Sequence, residues 1–136
     1  MHEPVRDSEA MIAAMAPELR PGLFVFCTLA DRALAAAALD RAVATVTEAE
    51  GLSLVLPVED ARALDFDCAM PMRQITLTVH SALDGVGLTA AVAGALAGRA
   101  IPCNMVAGFH HDHVFVPEEM ADRAMDALKE LQSGVR

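Results

Sequence analysis

Residues 114–121, Val114-Phe115-Val116-Pro117-Glu118-Glu119-Met120-Ala121, echo residues 54–61, Leu54-Val55-Leu56-Pro57-Val58-Glu59-Asp60-Ala61, at an offset of 60. Each is a short run of strand-forming residues that passes through a proline into an acidic helix start. Val, Leu and Phe suit the pleated, half-buried surface of a sheet. Proline is tolerated in a first helical turn, where its missing N–H has no partner to lose, and carboxylates favour the positive end of the helix dipole. Upstream, Leu29-Ala30-Asp31 resembles Ala82-Leu83-Asp84 in kind at an offset of 53, so the second copy carries the longer first helix. Two fused copies of one β-α-β-β-α unit explain both correspondences.

The second copy reads outward from there. Arg73–His80 alternates polar and apolar residues and predicts a strand with Ile75, Leu77 and Val79 on one face. Residues 81–86 form a loop, Gly87–Arg99 a helix of small apolar residues, and Cys103–Phe109 and His113–Val116 two further strands. Pro117 opens a last helix to Leu131, with Met120, Ala124, Leu128 and Leu131 as its apolar stripe and Lys129 at its negative end. In the first copy, Ser8 is expected to cap a helix through Ala16 that buries Met11, Ile12 and Met15, and Pro17 ends it. Pro21-Gly22 is a turn, and Leu23–Leu29 is apolar enough to predict a strand buried on both faces. Asp31–Arg41 is a short helix, residues 43–56 a hairpin about Glu50-Gly51, Pro57–Leu64 a helix, and residues 65–71 a linker.

The expected fold class is therefore α+β, two fused ferredoxin-like halves with antiparallel sheets, residues 1–66 and 72–136. A complete β-α-β-β-α-β half needs one more strand. Residues 132–136 are too few and too polar to supply it. The missing strand is expected from the other copy, with Leu23–Leu29 as candidate, or from a partner chain, because an unfilled edge is a sticky liability.

Composition narrows the function. Hydrophobic residues make up 54% of the 136 and charged residues 21%, which is ordinary for a folded domain. No apolar run approaches the roughly 18 residues that span a bilayer, and the N-terminus lacks a basic stretch followed by an apolar one, so no membrane segment is expected and the cytoplasm is the expected compartment. A net charge of −9, no Tyr, no Trp and five Phe disfavour nucleic acid, which needs a basic surface and stacking rings. Cys27, Cys68 and Cys103 are odd in number and widely spaced, which points to free thiols.

The segment Ile75-Thr76-Leu77-Thr78-Val79-His80-Ser81-Ala82-Leu83-Asp84-Gly85-Val86-Gly87-Leu88-Thr89-Ala90-Ala91-Val92, with Ile101-Pro102-Cys103-Asn104-Met105-Val106 and the text through Pro117, resembles a bacterial family of small tandem ACT-domain proteins. Pro21-Gly22-Leu23-Phe24-Val25-Phe26-Cys27-Thr28-Leu29 and Glu48–Pro57 look like that family's first half, so the resemblance covers nearly the whole chain after residue 10. The second half is also similar to the tandem ACT modules of aspartate kinases and of the eukaryotic cytosolic arginine sensor. The resemblance implies a ferredoxin-like fold, a homodimer joined side by side, and a free amino acid bound at an ACT–ACT interface in a regulatory, non-catalytic role. In similar ACT domains of a serine-regulated dehydrogenase, a histidine ending the first strand touches the ligand. His80 stands at that place, but the asparagine that follows there is Ser81 here, which speaks against a serine-like specificity.

The residues around Asp84-Gly85-Val86-Gly87 point the same way. Glycines let a backbone turn sharply and approach a ligand. The helix beginning at Gly87 and Leu88 presents free N–H groups to a carboxylate, and Thr89 adds a hydroxyl. Asp84 either pairs with an α-ammonium or caps the helix, and the glycines serve either a ligand or only a tight turn. Asn104, Met105 and Val106 offer backbone groups from a neighbouring strand, unless the Asn104 amide is spent within the sheet. His80, Ser81, Asp84, Gly85, Val86, Gly87, Leu88, Thr89, Asn104, Met105 and Val106 are the candidate binding residues.

His110-His111-Asp112-His113 has metal-ligand chemistry. In a strand, however, only alternate residues share a face, so His111 and His113 pair while His110 and Asp112 point away. Two ligands do not make a site, even with His80 as a third nearby, and no metal and no cofactor are expected. No nucleophile–base pair is evident, and Gly85-Val86-Gly87 lacks the remainder of a nucleotide-binding signature, so no catalytic residue is assigned. The alternative to a ligand-binding module is a structural one that uses ACT-type interfaces to oligomerise without a ligand.

Overall fold

The computed structural model describes residue 4, residues 7–31 and residues 35–134. The elements run α1 (Ser8–Ala13), β1 (Pro17–Leu19), β2 (Phe24–Leu29), α2 (Ala35–Leu39), β3 (Ala44–Glu48), β4 (Gly51–Pro57), α3 (Val58–Ala63), β5 (Met72–Leu77), α4 (Leu88–Ala97), β6 (Asn104–Ala107), β7 (Asp112–Pro117) and, after a 3-10 turn at Glu118–Met120, α5 (Ala121–Ser133). Both proline-led helix starts lie where the repeat puts them. Two compact units result, Gly22–Met72 and the pair Met1–Pro21 with Arg73–Arg136. Among the described residues no helix is long and apolar enough to cross a membrane.

In the Gly22–Met72 unit, β4 lies between β3 and β2 and is antiparallel to both. Leu52, Leu54 and Leu56 alternate onto one face of β4 and pack with Val25, with Ala35 and Ala38 of α2 and with Val58 and Ala61 of α3. Leu23–Leu29 departs from its expected two-sided burial. Phe24 and Val25 are buried, but Phe26 is 45% exposed, because the helices of this unit cover the face that carries Val25. The hairpin turns into β4 at Gly51, whose φ of +152° and a clearance of 2.8 Å between an added Cβ and the Leu29 carbonyl leave no room for a side chain.

In the other unit the strand order is β1-β5-β7-β6. Ile75, Leu77 and Val79 share a core with Leu88, Val92 and Leu96 of α4 and Ala124 and Leu128 of α5, at a helical spacing of four. Met11, Ile12 and Met15 join the same core, as their spacing predicts. The cap of α1 falls one residue earlier than expected: Asp7 rather than Ser8 precedes the helix, and its carboxylate accepts from the Ala10 N–H at 2.9 Å. The extra strand comes from the first copy, as expected, but from Pro17–Leu19 rather than Leu23–Leu29. Pro17–Leu19 pairs antiparallel with β5, Pro17 opposite Leu77 and Leu19 opposite Ile75. Proline, with no N–H for the ladder, is tolerated as a strand's first residue. Ala16, at φ +43°, turns the chain from α1 into this strand.

Candidate functional site

A cavity of about 140 Å³ opens beside the N-terminus of α4. The chain leaves β5 through Thr78, whose hydroxyl donates to the Ala16 carbonyl at 2.9 Å, and reaches Ser81, which is only 8% exposed. Ser81, Ala82 and Leu83 form one wall, and Gly85, Gly87, Leu88 and Thr89 form the floor. Ala107 from β6, Asp112 from β7 and Met11 of α1 complete the lining. The Gly85 N–H donates to the Ala82 carbonyl at 3.0 Å and tightens the loop. Gly87 caps α4 in the left-handed region at φ +109° and has no side chain of its own to bond the first turn. The first amides of α4 have no partner within the helix, and the positive dipole end lies behind them.

Two of the lining residues bond each other: the Ser81 hydroxyl donates to Asp112 Oδ2 at 3.3 Å. The start of α4 and a carboxylate thus line one small space. A larger groove of about 400 Å³ runs over Gly94, Gly98, Ala127 and Leu131, but its two charged groups, Arg99 and Glu130, pair with each other.

Of the residues singled out from the sequence, Ser81, Gly85, Gly87, Leu88 and Thr89 line the cavity. Asp84 and Val86 are exposed and lie off its wall. His80 also lies off the wall. Asn104, Met105 and Val106 pair with Phe115, Val114 and His113 in the β6–β7 ladder, and the Asn104 amide donates to the Phe115 carbonyl at 3.3 Å. Met11, Ala82, Leu83, Ala107 and Asp112 are the additions. Asp112 was visible only as part of a histidine run, and Met11 only as the apolar face of a short helix.

The histidines divide. The rings of His80, His110 and His111 stand 5.6 to 6.5 Å apart, centroid to centroid. His111 Nδ1–H donates to the Val79 carbonyl at 3.2 Å. His113 lies apart, its Nδ1 at 3.1 Å from both Gln74 Nε2 and Thr76 Oγ1. An amide N–H can only donate, so Nδ1 carries the lone pair and the neutral ring is protonated at Nε2. Burial pushes the His113 pKa down; the charges of His111 and Arg20 add to this, and Asp112 opposes it. Among the described residues no group of three His, Cys, Asp or Glu side chains is disposed to hold a metal ion.

Comparison with known proteins bears on the family and the fold. An ACT-domain family model matches residues 4–73, and a second ACT-domain model matches residues 70–130. A solved structure of a Vibrio cholerae protein of unknown function, described as a possible transport protein, is 44% identical, with 91% of this chain and 94% of that one covered and a TM-score of 0.80. A protein from Agobacterium tumefaciens shares the fold at 20% identity, with 85% and 87% of the two chains covered and a TM-score of 0.70. The ligand-free regulatory subunit of aspartate kinase from Thermus thermophilus shares it at 11% identity, with 87% and 97% covered and a TM-score of 0.65. No curated protein matches the sequence.

Proposed function

The chain belongs to the ACT-domain family, and we propose on that premise that it is a non-catalytic sensor of a free amino acid. The observation that carries the reading is the convergence, on one small cavity, of the glycine-led start of α4 and the Asp112 carboxylate. The ligand carboxylate binds the first amides of α4, within the candidate stretch Gly87–Thr89. The α-ammonium binds Asp112, which Ser81 orients. Residues 72–136 are the ligand-binding half, with α1 completing its wall. Three free cysteines suit a reducing cytoplasm.

The partner in this reading is a second copy of the chain. Leu83, Val86 and Phe109 are 68%, 79% and 71% exposed, apolar side chains that a homodimer would cover. A thermal-shift screen of the twenty amino acids tests the ligand. One present at 100 times its Kd stabilises the fold by about 2.7 kcal/mol, a rise in Tm of roughly 8 °C for a chain of this size. If none moves the Tm at millimolar concentration, the amino-acid reading fails and oligomerisation without a ligand replaces it. Light scattering after gel filtration tests the dimer, and a 14.4 kDa species at micromolar concentration would refute it.

A further inference from the structure

We propose that Met11 sets the size and chemistry of the ligand, restricting it to amino acids with short, uncharged side chains; the inference rests on the amino-acid reading above. The two glycines of the loop are filled from the protein side. A Cβ on Gly85 would stand 3.2 Å from Met11 Sδ and Cε, and one on Gly87 would stand 2.7 Å from the Ser8 Cβ. Their missing side chains let α1 lie against the loop, so that the Met11 thioether becomes the back of the cavity while being only 1% exposed.

With the ligand carboxylate on α4 and its ammonium on Asp112, the surfaces left for its side chain are Met11, Ala82, Leu83 and Ala107. None carries a charge, so a charged side chain would be buried without a partner. A long one must displace a thioether that the core of this unit already holds. The cavity, about 140 Å³, is under half of the roughly 300 Å³ at which drug-sized sites begin.

Isothermal titration of the full-length chain with L-alanine, L-serine, L-leucine, L-phenylalanine and L-glutamate tests this. Alanine and serine are expected to bind at least about tenfold tighter than leucine, the scale on which a pocket discriminates methylenes. Glutamate and phenylalanine should give no heat above dilution. Met11→Ala opens the back wall and should raise leucine affinity roughly tenfold relative to alanine. Met11→Leu conserves volume and keeps the fold, yet is one atom shorter, so it should shift the same ratio by less. It decides the matter if Met11→Ala does not fold. Equal binding of alanine and leucine by the native chain, or an unmoved ratio in the folded variants, overturns the role of Met11 and leaves the amino-acid reading standing. No binding of any amino acid to the native chain or either variant overturns that reading and this inference with it.

Discussion

Gln132 holds the turn at Ala16 from both sides. Its Nε2 donates to the Ala13 carbonyl at 2.8 Å, and its Oε1 accepts from the Ala16 N–H at 3.1 Å. Ala16 sits at φ +43°, a region costly for any residue with a Cβ. The side chain of a helix near the C-terminus thus keeps the chain in the conformation that delivers Pro17–Leu19 to β5.

Replacing Gln132 with Ala removes both bonds at a half-buried site and should destabilise the fold by about 1 kcal/mol. Ala16→Gly should act in the opposite direction by up to about 1 kcal/mol, because relief of the left-handed strain exceeds the added freedom of the unfolded chain. Urea denaturation of the two single variants checks both signs. Equal stability of Gln132→Ala and the native chain would remove the clasp from consideration.

Gly87→Ala should be severe. The new Cβ meets Ser8 at 2.7 Å, and the backbone is left-handed. A loss of about 2 kcal/mol is expected. Ser8→Gly in the same chain should restore the part due to collision and leave the part due to backbone strain. A double variant no more stable than Gly87→Ala would show that α1 does not press on this loop.

The neutral state of His113 sets a pH dependence. Its folded pKa lies below the ordinary value near 6.5. As pH falls through that value the unfolded chain takes up the proton first, so stability declines. The decline ends once the folded ring is also protonated. The urea midpoint should therefore drop between pH 7.5 and 5.5, and by less in His113→Gln. Identical slopes for the two proteins would assign the effect to other groups.

Asp112→Asn keeps an acceptor for Ser81 and removes the charge proposed to bind the α-ammonium. Amino-acid affinity should fall by roughly ten- to hundredfold, the worth of a hydrogen bond to a charged group. Asp84→Ala, off the cavity wall, should change it less than threefold. Titration calorimetry distinguishes the two carboxylates, and the reverse ranking would move the ammonium site to Asp84.

Much of the fold was legible because it depends on local pattern. The alternation of Ile75, Leu77 and Val79 and the two proline-led helix starts are periodic signals that tertiary packing only reinforces. Pro17–Leu19 escaped because three residues headed by proline carry no period, and only their pairing with β5 makes them a strand. The site was half legible for a similar reason. Gly85 and Gly87 advertise a special backbone, but not whether a ligand or Met11 and Ser8 occupy the space they leave. Asp112 reaches the cavity through a strand-to-strand register that no neighbouring residue announces.

The pairing of β1 with β5 makes the Gly22–Met72 unit a guest spliced into a host hairpin. The Arg20 N–H donates to the Gln74 carbonyl at 2.8 Å, so the guest departs and returns at adjacent points of one ladder. A gene cut at residue 72 would separate β5 from the strand that flanks it. Excising residues 22–72 and bridging Pro21 to Arg73 with Asn-Gly, the two-residue connection suited to antiparallel strands, keeps that strand in place. The shortened chain should melt cooperatively, whereas one beginning at residue 72 should not.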